Sequence, residues 1–185
     1  MTTSASVLDQ ACAYLAGGTY DSARRWYSSG TSTPPIPYVY VIKRAFSKDW
    51  DPRNATYGAA LDSQPIAAVG FVTLGTNGSR EQRVAVAGQS GLKKVMEDLQ
   101  FRLYLRTNTP HAEDCEDAIQ SIVDGVRTRV RADKTLGSGG FEVGGFQVAE
   151  TEPWLTHHRS SVESYSQVSK ATIVFNTEAH YYVFA

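Results

Sequence analysis

Residues 98–107, DLQFRLYLRT, alternate apolar and polar positions without a break. Leu99, Phe101, Leu103 and Leu105 fall on one side, Gln100, Arg102, Tyr104 and Arg106 on the other. A period of two sends successive side chains to opposite faces, so the stretch is a strand with its leucine face on a core. The period then changes. In TPHAEDCEDAIQSIVDGVRTRVRAD, residues 109–133, Cys115, Ile119, Ile122, Val126 and Val130 recur at three and four, the stripe of an amphipathic helix. Thr109 is placed to cap it and Pro110 suits its first turn. Glu113, Asp114, Glu116 and Asp117 suit the positive end of the helix dipole. Arg127, Arg129 and Arg131 stand at every second position near its end, but a helix places Arg129 about 200° round from Arg127. They do not make one basic stripe. They read as helix-end cations, each stabilising exposed carbonyls by about 0.3–1 kcal/mol.

A second helix is expected over 4–16, SASVLDQACAYLA, with Val7, Ala11, Cys12, Tyr14 and Leu15 on one face and Gly17-Gly18 ending it. Residues 17–36 have no clear period and run into Pro34, Pro35 and Pro37, which reads as loop. PYVYVIKRAF, 37–46, is rich in β-branched and aromatic residues and predicts a strand. Residues 47–64 are polar and broken by Pro52 and Gly58, a long excursion of the kind that carries function or flexibility. PIAAVGFVTLG and REQRVAVAG flank Thr76-Asn77-Gly78-Ser79. An Asn-Gly pair between apolar runs predicts a tight hairpin with Asn77 and Gly78 at its tip. FEVGGFQVAE, 141–150, and SKATIVFNTEAHYYVFA, 169–185, read as strands, and EPWLTHHRSSVESYSQV between them as a polar connection. No internal repeat interrupts this order, and 185 residues suit one domain, 1–185, around one core.

Charge narrows the partners. Eighteen basic side chains face nineteen acidic ones, a net of −1, which removes the general attraction to nucleic acid or an anionic membrane. Apolar residues make up 42%, a globular composition, and no run approaches a membrane span. MTTSAS at the start lacks the charged region of a secretory signal, so synthesis and residence in a cytoplasm are expected. Cys12 and Cys115 lie far apart among apolar residues, which suits buried thiols rather than a disulfide or metal pair.

Candidate chemistry is bland when weighed. His157-His158 with Glu152 and Glu163 invites a metal reading, yet adjacent histidines point apart and no third ligand has recognisable spacing. His111, Asp114 and Cys115 span one helical turn, but Cys115 belongs to the apolar stripe. His180 lies inside the last strand. Gly137-Ser138-Gly139-Gly140 precedes a strand and is followed by no lysine, so it reads as a turn rather than a phosphate cradle. Ser90 in GQSGL does not meet GxSxG. No catalytic residue, cofactor site or metal site is expected. Trp50, Tyr57, Trp154 and Tyr165 are different: they fall in polar connections rather than in periodic elements. Two readings stand for them, anchors beneath loops and protein contacts. Asn77 and Gly78 join them as candidate contacts if their hairpin tip is exposed.

The order of elements over 98–184 resembles that of the tail terminator proteins of long-tailed bacteriophages, also described as minor tail or tail-completion proteins. A charged alternating strand (FRLYLRT) leads into an acidic-start helix, then Arg-Ala-Asp-Lys-Thr-Leu-Gly, a Gly-rich strand, a long connection and a final strand. An early helix and a strand hairpin precede this half in that family, as residues 4–16 and 66–88 do here. The resemblance implies an α+β fold: a mixed, mostly antiparallel sheet with two helices on one face, plus long loops. It also implies a virion protein, a homo-hexameric ring at the head-proximal end of the tail tube. Its partners would be the tail-tube protein and the head–tail connector (stopper) protein. DNA would pass through the ring without specific binding, and no membrane or cofactor is involved.

Overall fold

The computed structural model describes residues 3–30, 33–44, 64–83, 92–109, 111–143, 155–165 and 168–184. Trp50, Tyr57 and Trp154, with the rest of 45–63 and 144–154, lie outside them.

Helix α1, Ser4–Ala16, starts on a reciprocal cap. The Thr3 hydroxyl accepts from Ser6 N at 3.2 Å, and Thr3 N donates to Ser6 Oγ at 2.9 Å. Two orphan amides of the first turn are thereby satisfied. The helix stops at Gly17, whose φ of 64° is the left-handed conformation that costs glycine least. A small hairpin follows, β1 (Thr19–Asp21) and β2 (Trp26–Ser28), where the sequence predicts loop. Three-residue strands are too short to display a period. Then come β3 (Val39–Arg44), β4 (Ile66–Arg83), β5 (Leu92–Thr107), α2 (Ala112–Ala132), β6 (Glu142–Val143), β7 (Thr156–Arg159), β8 (Glu163–Tyr165) and β9 (Val168–Phe184).

These strands form one mixed, mostly antiparallel sheet in the order β1-β2-β3-β4-β5-β9-β6, with β7 and β8 also paired to β9. Only β3 and β4 run parallel among the described pairs. The fold is α+β. The long strands β4, β5 and β9 make its centre, and their register explains the core. Phe101 lies between Val72 and Phe175, Leu103 between Gly70 and Ile173, Leu105 between Ala68 and Ala171. That face meets both helices: Val7, Ala11, Cys12 and Leu15 of α1 and Cys115, Ile119, Ile122, Val126 and Val130 of α2 share its core cluster. A smaller cluster of Val41, Val69 and Phe71 sits on the opposite face, under Trp26, Tyr40 and Tyr104.

Three local expectations need correction. Asn77 and Gly78 do not form a hairpin tip. Strand β4 runs through them and pairs with β5 from Ile66↔Thr107 to Arg83↔Lys93. Between Leu74↔Leu99 and Ser79↔Glu97 the register slips, with more residues on β4 than on β5. The Asn-Gly pair is absorbed in that bulge, because burying the leucine face of β5 fixes the pairing on both sides of it. Thr109 does not cap α2. The cap position is His111, without a side-chain hydrogen bond, and Pro110 lies outside the described residues. The connection before β9 is not wholly irregular, since β7 and β8 add onto the β9 edge. Of the strand expected over 141–150, the described part is Glu142–Val143.

Gly125 shows how tightly α2 is seated. A glycine inside a helix costs about 1 kcal/mol relative to alanine. Here a Cβ would come within 2.5 Å of Pro37 Cδ, so the bare backbone admits the Ile36–Pro37 turn. Gly125→Ala should therefore lower the melting temperature although it improves helix propensity; a rise would show that Pro37 does not pack there. Ile122 is fully buried beneath the same helix. Ile122→Ala should lower unfolding free energy by about 2–5 kcal/mol in chemical denaturation. Unchanged unfolding would show that α2 is not docked on β5 and β9.

Candidate functional site

The candidate contact residues that are described, Asn77, Gly78 and Tyr165, do not converge. Asn77 and Gly78 lie in the β4 bulge beside Leu99, whereas Tyr165 pairs with Val168 at the far end of β9, next to the Ser169↔Thr107 pair. The eight steps along β5 from Leu99 to Thr107 amount to about 27 Å. Trp50, Tyr57 and Trp154 lie outside the described residues. The large apolar side chains that the described residues do expose are Tyr20, Leu74 and Tyr182, at 52%, 40% and 43%. Tyr20 is on β1, at the edge of the sheet. Leu74 shares the face of Leu99, and Tyr182, opposite Lys94, points from the other face of the sheet.

The polar chemistry is organised as ties between elements. On the arm formed by the outer parts of β4, β5 and β9, Arg80 reaches across β5 to pair with Glu178. Glu178 Oε2 also lies 3.0 Å from His180 Nε2. Burial works against the Glu178 charge, but the hydrogen bond with His180 and the Arg80 guanidinium prevail and hold its carboxyl below the usual range. The helix side of the arm carries Glu97, 2% exposed, whose Oε1 accepts from the Ser4 hydroxyl. Helix α1 has no acidic residue in its own first turn. Glu97 brings a carboxyl to that end of the helix from the sheet.

The two helices are clasped at the other end of α1. Arg129 donates from Nε and Nη2 to Tyr14 O at 3.2 and 2.9 Å, and the Tyr14 hydroxyl returns a bond to Arg129 O at 2.8 Å. The guanidinium stacks 4.2 Å from the Tyr14 ring centroid. This refines the reading of the arginine run: Arg129 serves a carbonyl at the end of α1. Arg127 lies beside Asp124 and His157, and Arg131 is exposed.

The Arg-Ala-Asp-Lys-Thr-Leu-Gly stretch has a structural account. Asp133 Oδ1 accepts from Thr135 N and Oγ1 at 2.8 and 2.7 Å, and Oδ2 from Gly137 N at 2.9 Å. The hydrogen bonds with Thr135 and Gly137 hold its carboxyl below the usual range. The turn passes Leu136 through φ 48° and Gly137 through φ 76°, and Gln10 Nε2 ties it to α1 by donating to Leu136 O at 3.1 Å. The Gly137–Gly140 segment is thus a turn leading into β6.

The histidine pair is also divided. His157 stacks on Phe175, ring centroids 5.8 Å apart, while His158 pairs opposite Val174. Burial, followed by the positive charge of Arg127, His158 and Arg159, pushes the His157 imidazole down, which favours its neutral form. Among the described residues no three His, Cys, Asp or Glu side chains are grouped to hold a metal ion. Cys12 and Cys115 are both buried, and burial raises both thiols above the ordinary value, Cys12 the more strongly. They stay protonated at neutral pH, the unreactive form. No helix of the described residues is long and apolar enough to cross a membrane.

On the sheet face away from the helices, Gln100 donates from Nε2 to Asn176 Oδ1 at 3.0 Å, and its Oε1 accepts from Arg102 Nη2 at 2.9 Å. On the same face, three strands away on β2, Trp26 receives Arg24 and Lys43 over its ring at 5.6 and 5.8 Å. The alternation of β5 places Gln100 and Arg102 on this face from sequence. The cross-strand partner Asn176 required the β9 register, and Trp26 sits on a strand too short to anticipate.

No protein-family model matches this chain, and no curated protein sequence matches it significantly.

Two substitutions test these ties. Arg129→Lys keeps the charge and loses the paired donors and the stacking. It should destabilise the protein by about 1.5–3 kcal/mol, the scale of hydrogen bonds to charged groups. Stability equal to the parent would mean that charge alone matters at that helix end. For Asp133, a lowered folded carboxyl contributes stability that is present above the unfolded value, about 3.9, and lost as pH falls through the folded one. Asp133→Asn should accordingly flatten the acid limb of a plot of melting temperature against pH. An unchanged acid limb would remove Asp133 from the account.

Proposed function

We propose that this chain is a virion protein that caps the head-proximal end of a bacteriophage tail tube. It forms a ring of identical subunits, six in the expected assembly, ends tube polymerisation and offers a surface to the head–tail connector. What supports the reading is the order of elements: an early helix, the long β4–β5 strand pair, an acidic-start helix, a strand after the Gly-rich turn and a last long strand. They fold as one mixed sheet with both helices on one face, the architecture expected of a tail terminator. Helices of 13 and 21 residues also weigh against the runner-up, a head–tail stopper, which would be mainly a β-barrel.

The chemistry fits a part in an assembly. Among the polar groups described above, Arg80–Glu178 and Arg129–Tyr14 join one element to another. The near-neutral charge, net −1, favours protein contacts over a grip on the DNA that passes through the ring. Ring formation on a tube end is a templated event, so a monomer in solution is compatible with the role.

Electron microscopy of phage made with and without the gene tests it. Phage lacking the protein should carry tails of uncontrolled length that fail to join heads, and the protein should co-sediment with complete virions in few copies, at the neck. Tails of normal length that join heads normally would overturn the proposal.

A further inference from the structure

We draw no further inference here: the strongest candidate, the partly open apolar hollow between α2 and the β5–β9 sheet lined by Leu99, Phe101, Val126, Val130, Leu155 and Phe175, carries nothing because nothing in the structure shows what covers it.

Discussion

Burial of one face of β5 is the constraint on which the other elements depend. Leu99, Phe101, Leu103 and Leu105 are all nearly inaccessible, and a side chain of that size gains about 1.5–3 kcal/mol when taken fully out of water. No single neighbour can cover them. The flanking strands β4 and β9 contribute Val72, Ala68, Ile173, Phe175 and Ala171 beside them, and the helices close the layer from above. Because the strand period is two, a slip of one residue would turn all four to the polar face. That penalty holds the register of β4 on one side and β9 on the other.

Polar groups then decide how the helices sit. Helix α1 is held along its length, at Gln10 by the bond to Leu136 O and at other points besides. Ser4 bonds to Glu97 of β5, Asp9 accepts from Tyr27 and Arg44 at 3.1 and 3.3 Å, and Tyr14 meets Arg129 of α2. Apolar packing is non-directional and would tolerate some sliding of a helix over leucines. Hydrogen bonds at both ends and the middle do not. The division of labour is plain: the core supplies most of the free energy, and the ties select one placement of α1.

Much of this was legible in the sequence, for a physical reason. Long periodic segments such as 98–107 and 112–132 show the same alternation whichever neighbours they meet, so β5 and α2 could be read directly. β1, β2, β7 and β8 could not, since three or four residues carry no period and their pairing is decided by the open edges of β3 and β9. Asn77-Gly78 misled because turn chemistry is local while register is collective, and a bulge can absorb residues that would otherwise turn the chain. Thr109 was a sound cap by residue type, but the helix begins after His111. At the candidate site less could be read. Trp50, Tyr57 and Trp154 fall outside the described residues, Tyr165 stands apart from Asn77 and Gly78, and ties such as Glu97–Ser4 join residues far apart in the chain.

The place of β9 in the chain has a bearing on biosynthesis. As the ribosome emits the chain, β5 and α2 are complete before β9, and β9 supplies half of the pairing on β5 and the strand on which β6, β7 and β8 assemble. Until it arrives, β5 has an open edge and the stripe of α2 lacks Ile173 and Phe175 to pack against. Pairings this distant close slowly, because the loop entropy is lost before the contacts form. A chain that has emerged only this far would present the unpaired β5 edge, on which a second copy could pair in place of β9.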